Sequence, residues 1–179
     1  MDSMEQLRFP IGDYKKLSKI TAQDISKWIE DIASFPTKLA KEVNHLTEDQ
    51  LNTRYRPEGW TIKQVIHHCA DSHINSIVRF KLTLTENKPV IKPYFEDRWA
   101  ELKDVEHAPI DASIKLLEGL HQRWSILLKH LTETELKKTF VHPEHGREFS
   151  IEENIGVYAW HCNHHLAHIT SLKKRKGWD

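Results

Sequence analysis

The stretch that decides the fold is TIKQVIHHCADSH, residues 61–73. Thr61 and Gln64 stand three residues apart, which is the spacing of a capping box at the start of a helix. Apolar residues recur from there at helical spacing as far as about Thr85, and they predict a long helix with one buried face. That helix carries three histidines: His67, His68 and His73.

Segments before and after this helix show the same periodicity. Thr21 and Asp24 predict the start of a first helix, and Pro36 is expected to kink or split it because proline lacks a backbone N–H. A third helix begins near Asp111, where leucine, isoleucine and tryptophan mark a buried face.

The last segment is the richest in histidine. Ser150 and Glu153 predict a capping box at its start, and the basic residues 173–176 followed by Gly177 predict its end. Four histidines lie along it: His161, His164, His165 and His168.

Four such helices and no clear alternating strand favour an all-α fold, a four-helix bundle. Residues 87–109 form a long connection between the second and third helices, with a short helix expected near residues 96–102. A chain of 179 residues fits a single domain, residues 1–179, in which residues 1–20 form an extended N-terminal arm.

Composition excludes several classes of function. The 26 basic residues balance the 26 acidic ones, so we expect no nucleic-acid partner. No apolar run reaches the length of a membrane span, and the start lacks the order of a signal peptide. Cys69 and Cys162 show no metal-type or redox-type spacing, which favours a reducing cytoplasm. Thirteen histidines are the one unusual feature.

The rotation of the last helix separates its histidines. Successive residues turn by about 100°, and the apolar face centres near Cys162. His165 and His161 lie at the edge of that face, one turn apart on one stripe, whereas His164 points most nearly to solvent. We therefore favour His161 and His165 as a ligand pair, with His164 and His168 as the alternative.

The second helix supplies a third candidate. His68 sits at the edge of its apolar face, His67 points away and is expected to be solvated, and His73 falls within the face. His73 is either a buried histidine with a hydrogen-bond partner or a site residue. Three imidazoles at His68, His161 and His165 would leave a coordination position open, which indicates chemistry rather than a structural clamp.

Other polar residues lie near these positions. Cys69 and Cys162 occupy core positions and are predicted to be small buried hydrophobes. Arg79, about three turns after His68, would either meet an anionic group of a substrate or extend to solvent. Four side chains could orient the imidazoles or could simply be solvated: Asp71, Asn75, Asn154 and Tyr158.

Several strings in the chain resemble a known family. They are PIGDY at residues 10–14, GWT at 59–61, QVIHHCADSH at 64–73, RFKL at 79–82, WH at 160–161 and HHLAHI at 164–169. Together they resemble the DinB superfamily, and within it the YfiT-like metal-dependent hydrolases, over nearly the whole chain.

The resemblance implies a four-helix bundle with one divalent metal, zinc or nickel, on His68, His161 and His165. It also implies a cytoplasmic homodimer that acts on a small molecule. Many members of the superfamily follow the last ligand with Arg-Gly-Gln, where this chain has Leu166-Ala167-His168, so the role of His168 stays open.

Four hypotheses follow for the function. The first is a hydrolase whose metal activates water, although only Asp71 and Glu153 lie near the ligands in sequence as bases. The second is a thiol S-transferase of the bacillithiol type, which needs no protein base because a metal deprotonates a coordinated thiol. The third is a non-catalytic metal-binding stress protein, and the fourth is a histidine-rich bundle without metal.

Overall fold

The computed structural model describes residues 3–144 and 146–178. Four long helices make up most of this part of the chain: α2 (Ala22–Val43), α4 (Ile62–Thr85), α7 (Ile110–Lys129) and α9 (Ile151–Lys176). The short elements are α1 (Met4–Arg8), α3 (Glu48–Leu51), α5 (Glu96–Trp99), α6 (Lys103–His107), α8 (Glu133–Leu136), β1 (Thr139–His142) and β2 (Arg147–Ser150).

The four long helices form the predicted bundle. Helices α2 and α4 each pack against both α7 and α9, so these consecutive long helices lie at opposite corners. The core between them is apolar and closely packed, and its largest fully buried side chains are Trp124, Phe35, Phe80, Ile32, Leu39, Ile62, Ile66, Leu117, Ile151, Ile155 and Ile169.

Local signals set the ends of these helices as the sequence predicted. Thr21 and Thr61 each form a complete capping box, with Asp24 and Gln64 respectively. Gly177 ends α9 with a φ of 65°, a left-handed conformation that glycine adopts without a Cβ penalty. None of the described helices has the length and apolar character needed to span a bilayer.

The capping box predicted at Ser150 is only half formed. Its hydroxyl accepts a hydrogen bond from the backbone N–H of Glu153, but the Glu153 carboxylate turns elsewhere. That carboxylate lies 2.8 Å from Lys16 Nζ and 2.9 Å from Arg147 Nη2. Two cations from outside the helix thus take the place of the local cap, since each of them is a charged partner for the carboxylate whereas the backbone N–H is neutral.

Pro36 does not split the first long helix, as the sequence suggested it could. Helix α2 continues through it from Ala22 to Val43. Since Pro36 has no N–H, the carbonyl of Ile32, four residues earlier, lacks its usual helical donor. His121 of α7 donates instead, with its Nδ1 2.6 Å from that oxygen.

A small hairpin corrects the expectation that strands are absent. Strands β1 and β2 pair antiparallel, with Phe140 opposite Phe149. These two rings and Ile91 form a second small core beside the bundle. Each strand is only four residues long, too short for alternation to stand out from the surrounding sequence.

The connection between α4 and α7 holds two short helices, α5 and α6, where one was expected. Its backbone is tied to the start of α4: Gln64 Nε2 donates to the carbonyl of Ala100 at 3.0 Å, and Lys63 Nζ donates to that of Glu106 at 2.8 Å. The connection is therefore packed against the bundle at one end.

The N-terminal arm is not wholly extended, because residues 4–8 form the helix α1. Residues 1 and 2 of the predicted arm lie outside the described part of the chain. The arm runs along α9, where Trp160 Nε1 donates to Gly12 at 3.0 Å and His168 Nε2 donates to Arg8 at 2.9 Å, each to the backbone carbonyl. It thereby covers one face of the histidine-rich helix.

Candidate metal centre

Three of the predicted site residues come together inside the bundle. His68 projects from α4, and His161 and His165 project from α9 one turn apart. One ring nitrogen from each lies within 4.8 Å of the others, and the Nε2 atoms of His68 and His161 are 3.3 Å apart. His68 and His165 are buried and His161 is partly exposed.

The spacing of these nitrogens fits a bound metal ion. Two nitrogens on one tetrahedral ion at about 2.0–2.1 Å would themselves lie about 3.4 Å apart. The 3.3 Å between His68 Nε2 and His161 Nε2 matches that edge. A set of three imidazoles suits zinc, nickel or copper and leaves a fourth position open.

Burial holds the three rings in the form that binds metals. It lowers the pKa of His68 to about 4, with a further contribution from the charge of His168. Burial also lowers the pKa of His161 and of His165 well below the usual value of 6.5. Neutral imidazole is the ligand form, so no proton competes with a metal near pH 7.

His73, which the sequence left between two roles, contacts the site from behind. It is fully buried, and its Nε2 lies 3.0 Å from His161 Nδ1. Its Nδ1 lies 2.7 Å from Nε2 of His121, a buried residue of α7. His121 was not among the residues predicted from the sequence, although its spacing from Leu117 and Trp124 places it on the buried stripe of that helix.

A second group of histidines lies on the arm side of α9. His164, His165 and His168 also bring ring nitrogens within 4.8 Å of one another, so His165 belongs to both groups. The prediction that His164 faces solvent is wrong: it is 7% exposed and stacks on Trp160. The arm covers this face, a contact that helix rotation alone could not reveal.

The prediction that His67 is solvated is also wrong. It is 6% exposed, and its Nδ1 lies 2.7 Å from the hydroxyl of Ser113 on α7. The helical wheel placed His67 outside the apolar face of α4, but α7 packs against that side.

A cavity of about 680 Å³ opens onto the three histidines. Aromatic rings form much of its wall, among them Phe9, Trp60, Tyr94 and Trp160. The Trp60 ring lies 4.6 Å from the His68 ring, centroid to centroid. Arg79 lines the same cavity, and its buried Nε has no hydrogen-bond partner among the described residues.

The residues that flank the histidine stripe divide into two kinds. Tyr158 lines the cavity, and its hydroxyl donates to the backbone carbonyl of Ser72 at 3.3 Å. Asn154 is buried away from it, and Asn75 bonds the carbonyl of Asp71 within α4.

Both cysteines are fully buried free thiols, as predicted.

Neither carboxylate considered as a base reaches the cavity. Asp71 and Glu153 are both absent from its lining. Burial raises the pKa of Asp71 to about 6, with help from the charge of Asp104. Burial also raises the pKa of Glu153, but hydrogen bonds from Arg147 and Lys16 outweigh it and the net shift is downward.

The chain is similar in sequence to known proteins. A protein of Oceanobacillus iheyensis is 52% identical over 171 residues, which are 96% of this chain and 98% of that protein. A protein of Bacillus mycoides is 50% identical over 175 residues, which are 98% of this chain and 100% of that protein. Both carry the name "Putative metal-dependent hydrolase".

The solved structure of YfiT from Bacillus subtilis matches with a TM-score of 0.95 and 46% identity, over 97% of this chain and 99% of that one. YfiT is described as a probable metal-dependent hydrolase with an unusual four-helix bundle topology. The family model of the DinB superfamily matches residues 32–169. The chain therefore belongs to the DinB superfamily and has the YfiT type of four-helix bundle.

Proposed function

We propose that the protein is a metal-dependent hydrolase that holds one divalent ion on His68, His161 and His165. The observation that carries the proposal is the convergence of three neutral imidazoles, with ring nitrogens within 4.8 Å of one another, in the lining of a cavity. The names of the relatives support the same class of activity.

A divalent ion at this place, zinc or else nickel, would lower the pKa of a water or thiol that reaches the open position and would polarise a substrate carbonyl. The chain supplies the surroundings for that chemistry. Ser72 Oγ lies 3.5 Å from both His161 Nε2 and the Tyr158 hydroxyl, so it can hydrogen-bond a substrate beside the metal position. The aromatic rings of the wall can pack against apolar parts of a substrate.

Arg79 supports an anionic group on the substrate. Arg79 lines the cavity, and its buried Nε has no hydrogen-bond partner among the described residues. Its Cα lies about 16 Å along α4 from that of His68, at 1.5 Å per residue. A small molecule with a reactive group at one end and an anionic group at the other would contact both.

A thiol S-transferase of the bacillithiol type is the second candidate. A hydrolase profits from a protein base beside the attacking water. Asp71 and Glu153 do not line the cavity, and the carboxylates that do are Glu58, Glu96, Asp97 and Glu144. A thiol that binds the metal is deprotonated by the metal itself.

The first experiment measures metal content per chain by elemental analysis on tag-free protein purified without added metal. We expect about one zinc or nickel ion in the wild type, and almost none after His68→Ala. The matched control is His67→Ala, the neighbouring buried histidine that bonds Ser113 instead. Metal that is lost from the control as readily as from the site variant would contradict the assignment.

Activity then separates the enzyme classes. We expect the metal-loaded protein to hydrolyse members of an ester and amide panel, with activity lost in His68→Ala. Consumption of a thiol together with an electrophile, and no hydrolysis, would select the transferase. Bound metal without either reaction would select the non-catalytic metal-binding stress protein.

The remaining expectations concern the setting of the protein. We propose a cytoplasmic homodimer with a small-molecule substrate and no nucleic-acid or membrane partner. The balanced charge of 26 basic and 26 acidic residues supports the absence of a nucleic-acid partner. Light scattering on purified protein tests the dimer, and a monomer at micromolar concentration would contradict it.

A further inference from the structure

One line of hydrogen bonds crosses all four long helices and ends at the candidate metal centre. It starts at the carbonyl of Ile32 on α2, 2.6 Å from Nδ1 of His121 on α7. It continues from Nε2 of His121 to Nδ1 of His73 on α4, at 2.7 Å. It ends from Nε2 of His73 to Nδ1 of His161 on α9, at 3.0 Å.

The first partner fixes the direction of every bond in the line. A carbonyl oxygen only accepts, so Nδ1 of His121 carries the hydrogen. A neutral imidazole has one N–H, so Nε2 of His121 accepts from Nδ1 of His73. Nε2 of His73 then accepts from Nδ1 of His161. His121 and His73 are buried at 1% and 0% exposure, and the bonds of both rings go to neutral groups, which disfavours a charged ring.

Pro36 explains why the line can start where it does. In a regular helix the carbonyl of Ile32 would accept the N–H of residue 36. Proline has no N–H, so the oxygen is free for a donor from another helix. Pro36 on α2 leaves the carbonyl of Ile32 without its helical donor, and His121 on α7 supplies a donor in its place.

We propose that His121 and His73 are positioning residues that hold His161 in the form protonated at Nδ1, so that its unprotonated Nε2 faces the metal position. The geometry carries the assignment: Nε2 of His161 lies 3.3 Å from Nε2 of His68, on the side of the ring opposite His73. A second residue that fixes the tautomer of a ligand histidine also raises its basicity. We call residues Ile32, Pro36, His121, His73 and His161 the relay.

The part of this proposal that concerns the metal rests on the proposed function. The part that concerns the tautomer does not, because the protonated nitrogen of His161 can be identified in metal-free protein. The first test is a long-range proton–nitrogen correlation spectrum of histidine-labelled, metal-free protein. We expect His161 and His73 to carry their hydrogens on Nδ1. A spectrum in which His161 is protonated at Nε2 would overturn the proposal, whatever the activity.

The second test compares zinc affinity among variants that are first shown by circular dichroism to fold. His73→Phe and His121→Phe keep an aromatic ring of similar size but remove the ring nitrogens. Loss of such an outer partner typically weakens metal binding about 10- to 100-fold, and we expect that range here. The matched control is His67→Phe, which removes another buried histidine that bridges α4 and α7 and lies outside the relay.

A conservative change separates positioning from packing. The side-chain oxygen of His73→Gln can still accept from Nδ1 of His161, so zinc affinity should recover most of the loss seen with phenylalanine. The tautomer signal of His161 should recover with it. If His73→Phe and His73→Gln bind zinc as tightly as His67→Phe, the relay does not position the ligand.

These tests distinguish two failures. Wild-type protein that shows the expected tautomers but binds no zinc would refute the proposed function and leave the hydrogen-bond line intact. Wild-type protein that binds zinc with His161 in the other form would refute the relay alone. If the phenylalanine variants do not fold, His73→Gln and Pro36→Ala carry the comparison in the native fold.

Discussion

The two sides of α9 present their histidines differently. Toward the bundle interior, His161 has its Nδ1 bonded to His73 and its Nε2 directed toward His68. Toward the N-terminal arm, His164 and His168 are buried, and Nδ1 of each has no hydrogen-bond partner in the described residues, which is also true of Nδ1 of His165. Both sides contain three clustered histidines, but their partners differ: His161 bonds the buried ring of His73, whereas His168 bonds the backbone carbonyl of Arg8. Clustering alone therefore does not identify a metal centre. The interior side differs in that buried histidines of two other helices hold one of its rings.

The strongest test of this comparison replaces one histidine on each side of α9 with alanine. His161→Ala should lower zinc affinity by more than about 100-fold, because loss of an outer partner alone costs about 10- to 100-fold. His164→Ala should leave zinc affinity near that of the wild type. Titration against a zinc-sensitive dye measures both. Full occupancy in His161→Ala with loss in His164→Ala would move the site to the arm side.

Acid tests whether the relay is neutral. Burial lowers the pKa of His121 to about 4, against 6.5 in the unfolded chain. Between these values the unfolded chain binds a proton that the folded chain does not, so stability falls as pH falls from 6.5 toward 4. Between pH 7 and pH 5 this ring should contribute about 2 kcal/mol to the loss.

The measurement is urea unfolding of metal-free protein at both pH values. His121→Phe should lose about 2 kcal/mol less than the wild type between pH 7 and pH 5. The same change at His107, which is 68% exposed, serves as the control. An identical pH dependence in wild type and His121→Phe would show that the ring is not held neutral by burial.

A substitution that weakens the attachment of the N-terminal arm tests the arm side of α9. Glu153→Gln removes the charge that holds Lys16 of the arm and Arg147 of β2 to the start of α9. Loss of these charge-assisted bonds should cost about 1.5 kcal/mol of stability and open the arm side. His164 should then react faster with an imidazole-modifying reagent, as followed by mass spectrometry, while zinc affinity changes little. A large drop in zinc affinity would mean that the arm helps to build the metal centre.

The smallest expected effect comes from Pro36→Ala. The new N–H competes with His121 for the carbonyl of Ile32, but that oxygen can accept two hydrogen bonds. Zinc affinity should therefore fall only about twofold to threefold, the equivalent of about 0.5 kcal/mol. Zinc affinity above that of the wild type would contradict the role given to the proline.

Much of the fold was predictable because its signals are local. The boxes at Thr21 and Thr61, and Gly177 after the basic cluster, depend on residues within one or two turns. Helix rotation also placed His68, His161 and His165 on edges that could meet, and the structure brings them together. Their role as ligands stays a prediction.

The rest depends on contacts between distant segments. The arm buries His164, and α7 buries His67, so the rotation of each helix by itself gave the wrong environment. The link between Pro36 and His121 joins residues 85 positions apart. The hydrophobic periodicity of each helix does not show which helices pack against each other, so this contact could not be predicted. The hairpin was missed for a different reason, since four-residue strands carry too little pattern.

The most direct test of the account is an anomalous difference map from crystals of the zinc-loaded protein, collected at the zinc absorption edge. We expect one strong peak per chain, about 2.0–2.1 Å from Nε2 of His68 and His161 and from a ring nitrogen of His165. A peak between His164 and His168 instead, or no peak in crystals grown with zinc in excess, would contradict it.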